Sequence, residues 1–378
     1  MLRCDMVTGG RVRYRPSVRI AYLLPAPGVP VQGPSGASAH ARGIVGALRA
    51  RHDVRLFAAR STDRRGRFGE PTPARVLGVP GWPSWLERYR DLTEVLAARR
   101  IARRVVEDAH KGWKPRLVIE RHSLFSDAGW RVHDRLGVPW ALEVNAPLWQ
   151  ERARFETLRR PAWAQGWERD VLRAAPLVVA VSQWLVTWLR EEIGCENAHW
   201  VPNGVSVRLG DRMAGRQALG VQPGEPLVGF VGSMKPWHGV ARLPRLAAAA
   251  GARLVLIGRK PKTVPPGVIA TGHLEPDALA DAVAALDVGL APYPADAPPW
   301  FCPLKILDYR AQGTPVVATD VGDCRALVGD GGTIVPPGDD DGFVGAIRAW
   351  VGRRVVPAPR SWQEVGSQII ALAASQKR

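Results

Sequence analysis

The segment WFCPLKILDYRAQGTPVVA, Trp300 to Ala318, carries a lysine and an aspartate three residues apart, Lys305 and Asp308. On a helix that spacing puts both side chains on one face. Pro303 suits the first helical turn, where its missing N–H costs nothing. Leu304, Leu307 and Ala311 fall at i, i+3 and i+7 and form a separate apolar stripe. Gly313 suits the position just past a helix end, where positive φ is common. Val316 to Ala318 reads as a short, fully buried strand of a parallel sheet. A helix start gathers unpaired N–H groups and positive potential, so Asp308 would sit close to where phosphates bind. The competing reading is a surface ion pair, which contributes little.

Other reactive residue types recur after apolar runs of strand length. GSMKPWHG offers Ser233, Lys235 and His238, and GRKPK offers Arg259 and Lys260. GPSGASAH holds Gly33, Gly36 and His40; EVNAP holds Glu143 and Asn145, with Glu151 beyond it. Glu120 and Arg121 follow the run RLVI directly. Gly33 and Gly36 permit close backbone approach, but GPSGAS is not G-x-G-x-x-G and gives no evidence for a dinucleotide. Asn145 has a plainer reading as an Asx turn before Pro147. His40 reads equally as a solvated histidine at a helix start, and His238 as a ring packed beside Trp237.

Positioning these loops requires alternating strands and helices. RIAYLL, DVRLF, RLVIE, PWALEVNAP, PLVVAVS and HWVPNGV supply strands in the first half. LVGFVG, RLVLIG, DVGLAPY, TPVVAT and GTIVPP supply them in the second. Between them lie helical patterns such as AHARGIVGALRARH, a basic segment from about Glu87 to Glu107, HGVARLPRLAAAAG and EPDALADAVAAL. Such alternation predicts parallel sheets and an α/β class. Two runs of it predict two doubly wound domains, joined near Val205 to Ala214. Ser361 and Glu364 have capping-box spacing at the start of a terminal helix. Ligands of open parallel sheets bind beyond the carboxyl ends of the strands, which selects the loops named above and, with two facing sheets, brings them to one cleft.

Bulk composition agrees. The chain has 378 residues, too long for one ordinary core, and 46% are hydrophobic. Lys plus Arg exceed Asp plus Glu by 52 − 35 = 17. That excess attracts anions such as nucleotides, phosphosugars or acidic lipid heads. The basic residues are scattered and no nucleic-acid motif is present, so no nucleic-acid partner is expected. Cys4, Cys195, Cys302 and Cys324 lie far apart without metal-ligand spacing, which suits a reducing cytoplasm. No apolar run is long enough for a membrane span, and Pro25 and Pro27 break the only apolar run near the start, arguing against a secretory signal. The first ~17 residues read as a loose tail.

In their order and wording, GPSGASAHARGIVGAL, VIERHSLFSDAG, GVPWALEVNAPLWQE, VVAVSQWL, VPNGV, FVGSMKPWHGV, DVGLAPY and PLKILDYRAQGTPVVATDVG resemble the glycosyltransferase family 4 enzymes over roughly residues 19 to 375. The resemblance implies the GT-B fold, two Rossmann-like domains facing a central cleft. It divides the chain into an acceptor-binding domain (1–205), a nucleotide-sugar-binding domain (206–360) and a C-terminal helix (361–378). It implies metal-independent transfer of a hexosyl group, with retention, from a nucleotide diphosphate sugar as co-substrate. The acceptor would be a secondary metabolite, surface glycan or lipid-linked saccharide. Two departures stand out. Of two acids eight positions apart in many members, Asp308 fills the second place and Trp300 the first. Ser233 and His238 stand where many members have an arginine and a lysine on the diphosphate, with Lys235 between them.

On this resemblance Asn145, Glu151 and Lys235 are the catalytic candidates. Gly36, Ser233, Lys235, His238, Arg259, Lys305 and Asp308 are expected at the donor, and His40, Glu120 and Arg121 at the acceptor. Glu143 competes with Glu151 for the acceptor's proton. No metal and no cofactor are expected. A nucleotide-sugar epimerase and a catalytically silent nucleotide-sugar-binding protein are the alternatives. The expected location is the cytoplasm. LAARRIARRVVEDAHKGWK is either an ordinary surface helix or a peripheral contact with anionic membrane.

Overall fold

The computed structural model describes residues 18–33, 35–62, 73–76, 89–205 and 208–376. The expectations for the leading tail, for the loop bearing Trp82 and Trp85 and for a helix start at Glu87 lie outside these residues.

The apolar runs become strands and the 3.6-residue patterns become helices. The first sheet is built from β1 (Arg19–Leu24), β2 (Asp53–Ala58), β3 (Arg75–Val76), β4 (Leu117–Arg121), β5 (Trp140–Val144), β6 (Leu177–Ala180) and β7 (Ala198–Trp200). Its intervening helices are α1 (Gly36–Arg49), α2 (Arg90–His110), α3 (Ala128–Leu136), α4 (Leu148–Phe155), α5 (Pro161–Ala174) and α6 (Gln183–Trp188). The second sheet holds β8 (Leu227–Gly232), β9 (Arg253–Gly258), β10 (Ile269–Gly272), β11 (Val288–Ala291), β12 (Val316–Thr319) and β13 (Gly332–Val335). With it go α7 (Arg212–Ala218), α8 (Leu243–Ala249), α9 (Pro276–Ala285), α10 (Leu304–Ala311), α11 (Cys324–Val328) and α12 (Asp340–Trp350); α13 (Trp362–Ser375) ends the chain.

The strand orders are β3-β2-β1-β4-β5-β6-β7 and β10-β9-β8-β11-β12-β13, and every strand pair is parallel. Both sheets are doubly wound. Their order reverses between β1 and β4 and between β8 and β11, and crevices for ligands open beyond the carboxyl ends of strands at such points. The loops after β1, β4, β8 and β11 are therefore the ones the topology selects. Apolar clusters cover both faces of each sheet, the condition for an all-parallel sheet.

Helix α10 joins the two lobes. Its stripe Leu304, Leu307 and Ala311 packs into the first-lobe core, while Ile306 and Tyr309 pack into the second. Fully burying side chains of this size contributes about 1.5–3 kcal/mol each. Nearby, Ser182 Oγ donates to the Trp300 carbonyl at 2.9 Å, and Asp323 accepts from the Gln183 N–H at 3.0 and 3.2 Å. Trp300, standing at the first-acid position, is a buried wedge whose ring lies 5.6 Å from that of Trp184. Helix α13 starts on the Ser361–Glu364 capping box and returns to the first lobe, placing Val365, Ile369 and Ala373 in its core.

Among the described residues no helix is long and apolar enough to cross a membrane. Helix α2 turns Leu92 and Leu96, with Arg99 and Arg100, to solvent.

Candidate active site

Lys305 and Asp308 do not pair on a surface. Lys305 is buried, and its Nζ donates to Tyr293 Oη at 2.6 Å. The ammonium lies 5.0 Å from the Phe230 ring centroid and 4.8 Å from that of Tyr293, a cation–π arrangement. Its stem passes beneath the loop after β8, with Cε 3.6 Å from where a Cβ on Gly232 would stand. Burial lowers the lysine to about 8, against the pull of Cys324 and Asp308. Asp308 is the fifth residue of α10, not its front, and is partly buried. Burial raises its carboxyl to about 7, against the pull of Lys305. It accepts no hydrogen bond from the described residues, so its acceptor capacity is available to a ligand.

The loop after β8 folds over Lys305. Met234 sits at φ 53°, the left-handed region that a residue other than glycine seldom adopts. A single turn, Pro236–His238, follows. Gly239, at φ 67°, presses against the Pro292 carbonyl, where a Cβ has no room. His238 Nδ1 accepts from the Lys235 N–H at 3.2 Å, leaving the ring proton on Nε2. Burial, then Lys305 and Lys235, lowers His238 to about 3, so the ring is neutral near pH 7 and donates as an N–H. Lys235 is exposed. Ser233 is partly buried beside it. Arg259 lies just past β9, its N–H donating to the Gly232 carbonyl at 3.2 Å and its side chain exposed. From the other lobe, Gly36 opens α1 within reach of α10: a Cβ there would stand 3.5 Å from Leu304 Cδ1.

The first-lobe candidates divide into two layers. Glu143 is buried and receives Tyr22 Oη at 3.2 Å, Arg121 at 3.3 Å and Asn145 Nδ2 at 3.2 Å, while its Oε1 is in close contact with His40 Nε2. Burial pushes this carboxyl up, but His40, Arg121 and Asn145 outweigh it and hold it at about 2. Glu143 is thus fully engaged, which removes it as a proton acceptor. His40 is corrected as well: only 3% exposed, with its ring edge-on to Trp362 at 4.8 Å, it is neither solvated nor open to an acceptor. Glu120 is likewise no acceptor contact. It is fully buried, accepting from Ser126 Oγ at 2.5 Å and from the Gly129 N–H at 2.8 Å, with burial raising it to about 7.

Arg121, Asn145 and Glu151 form the layer nearer the cleft. All three are only partly buried. Glu151, on α4, feels both Arg121 of the first lobe and Lys235 of the second; burial and then Glu156 raise it, while those two cations oppose. Helix α4 is itself held by residues that carried no local signal. Glu168 is 1% exposed, accepts from the N–H groups of Leu148 at 2.7 Å and Trp149 at 3.0 Å, and lies 2.8 Å from His122 Nε2.

The arrangement can seat an anion between fixed N–H and ammonium donors, with a carboxylate beside it. Among the described residues no group of three or more His, Cys, Asp or Glu side chains could hold a metal ion. A half-open pocket of about 330 Å³ lies elsewhere, at the amino ends of β5 and β6 beside His133, Trp140 and Leu177, away from all of these groups.

Comparison with known proteins bears on this cleft. Residues 34–209 match the family profile described as Glycosyltransferase Family 4, and residues 225–352 the one described as Glycosyl transferases group 1. The D-inositol 3-phosphate glycosyltransferase of Segniliparus rotundus is 26% identical over 363 residues, covering 86% of this chain and 73% of that protein. A GDP-mannose-dependent alpha-mannosyltransferase of Mycobacterium tuberculosis is 29% identical over 231 residues, covering 58% of this chain and 59% of that protein. Among solved structures, sucrose-phosphate synthase from Thermosynechococcus elongatus superposes with a TM-score of 0.67 at 20% identity, over 95% of this chain and 97% of that one. Anabaena Alr3699/HepE in complex with UDP and glucose gives 0.64 at 18% identity, over 95% and 98%. These two share the fold.

Proposed function

This chain belongs to glycosyltransferase family 4 and is a glycosyltransferase of GT-B fold, and from that premise we propose that it moves a hexosyl group from a nucleotide diphosphate sugar to an acceptor hydroxyl, with retention at the anomeric carbon and without metal. Residues 206–360 would hold the donor's nucleotide diphosphate, and residues 1–205 would take the acceptor while also reaching the donor's sugar. The observation that carries the reading is the placement of Lys235, Lys305 and the His238 Nε2–H around one loop, beside the unengaged Asp308 carboxyl.

As the bond from the anomeric carbon to the diphosphate oxygen breaks, its electron pair goes to the diphosphate. Donors fixed in advance stabilise that charge without reorganising. Lys235 and Lys305 supply charge; His238 supplies a neutral hydrogen bond. Asp308 accepts from the ribose hydroxyls, and Arg259 is a further cation at the rim. Asn145 can bond a sugar hydroxyl but cannot act as a base. The acceptor oxygen bonds to the anomeric carbon on the face the diphosphate leaves. Its proton passes to the departing phosphate or to Glu151, whose raised pKa suits a base. The likeness to a GDP-mannose-dependent alpha-mannosyltransferase supports donors such as GDP-mannose.

The test incubates purified protein with GDP-mannose or UDP-glucose, with and without an acceptor panel and chelator. Acceptor-dependent release of nucleotide diphosphate, with retained configuration by NMR, is expected. Interconversion of the donor without acceptor, inversion, or loss of turnover on chelation contradicts the proposal.

A further inference from the structure

Helix α4 has supports at both ends. Glu168 holds its first turn to the first lobe through two backbone N–H groups and His122. Its far end reaches the second lobe. Phe155 lies against Trp237, with ring centroids 4.2 Å apart and planes at 34°. Next to it, Arg154 donates to the Asp296 carbonyl at 2.6 Å.

Trp237 stands between Lys235 and His238. The Lys235 Nζ lies 5.1 Å from its ring centroid, and the His238 ring 6.1 Å away in an edge-on contact. Within the loop the support is a single short turn closed by bonds between Lys235 and His238, while Met234 before it sits at positive φ. Such a loop keeps its shape only when its surroundings over-determine it. On the side facing the first lobe, the Phe155 ring is that support.

We infer that Phe155 is a positioning residue for the diphosphate grip: it seats Trp237 and so holds Lys235 and His238 in place while the first lobe is docked. Phe155 touches no leaving group itself and acts through the indole. This rests on the proposed function, because it assumes that the loop binds phosphate.

The experiment compares UDP with uridine, and GDP with guanosine, on the wild type, Phe155→Ala and Phe155→Tyr, by calorimetry and ligand-observed NMR. In Phe155→Ala the preference for the better-bound diphosphate over its nucleoside falls about tenfold, in line with loss of a partly buried aromatic contact. Nucleoside affinity is unchanged, and Phe155→Tyr restores the preference. An unchanged preference in Phe155→Ala overturns the inference. So does an equal loss for nucleoside and diphosphate, which is what a general structural lesion produces. A wild type with no preference for either diphosphate contradicts the proposed function first, and the inference with it.

Discussion

Burial acts in opposite directions on Asp308 and Lys305, and the pair sets a narrow working window. Asp308 titrates near 7 and Lys305 near 8. In the proposed site, the Asp308 carboxylate that would accept ribose hydroxyls forms as pH rises through 7, and the Lys305 ammonium that would stabilise phosphate is lost as pH rises through 8. Nucleotide diphosphate affinity should therefore climb between pH 6 and 7 and decline beyond 8, as calorimetry across that range would show. Hydrogen bonds to a charged acceptor contribute about 1.5–3 kcal/mol each. Asp308→Ala should thus weaken the nucleotide at least tenfold, and Asp308→Asn should flatten the acidic limb. Equal affinity in wild type and Asp308→Ala would remove this residue from the site. The types and spacing of Lys305 and Asp308 were readable from PLKILD alone. That Lys305 lies under Tyr293 and Phe230 was not, because those partners come from β8 and the loop after β11.

Elements with a clear period were legible, and those without one were not. β8 and β9 begin and end where their apolar runs do, and α13 starts at its capping box. β10 escaped notice because its apolar run, Val268 to Ala270, is only three residues long, and in the fold every residue of the strand is only partly buried. Helix α4 buries none of its residues fully and follows Pro147, leaving no stripe to read. Its anchor, Glu168, lies twenty residues away in sequence within α5, a pairing that only the tertiary fold creates. Glu168→Ala leaves two helix-start N–H groups unpaired, each at about 1–3 kcal/mol when buried. We expect it to lower the denaturant midpoint and to speed amide exchange at Leu148 and Trp149 while β4 and β5 stay protected. Unaltered exchange in α4 would show that Glu168 does not hold the helix.

At the scale of the whole molecule, each sheet has one switch point and α10 packs into the cores of both lobes, and the proposed site draws on both. The second lobe would bring Lys235, His238, Lys305 and Asp308; the first would bring Arg121, Asn145 and Glu151. The two-sheet plan was legible because parallel strands read as unbroken apolar runs. The separation of Glu143, His40 and Glu120 into a buried layer beneath the cleft was not, since a polar residue near the end of a strand or the start of a helix carries no mark of how deep it lies. The central claim is that both lobes grip one nucleotide sugar. Hydrogen exchange with and without saturating GDP-mannose or UDP-glucose tests it most directly. Joint slowing at residues 232–239 and 304–311 of the second lobe and at residues 145–155 of the first is the predicted result; slowing confined to one lobe, or absent with both sugars, would contradict it.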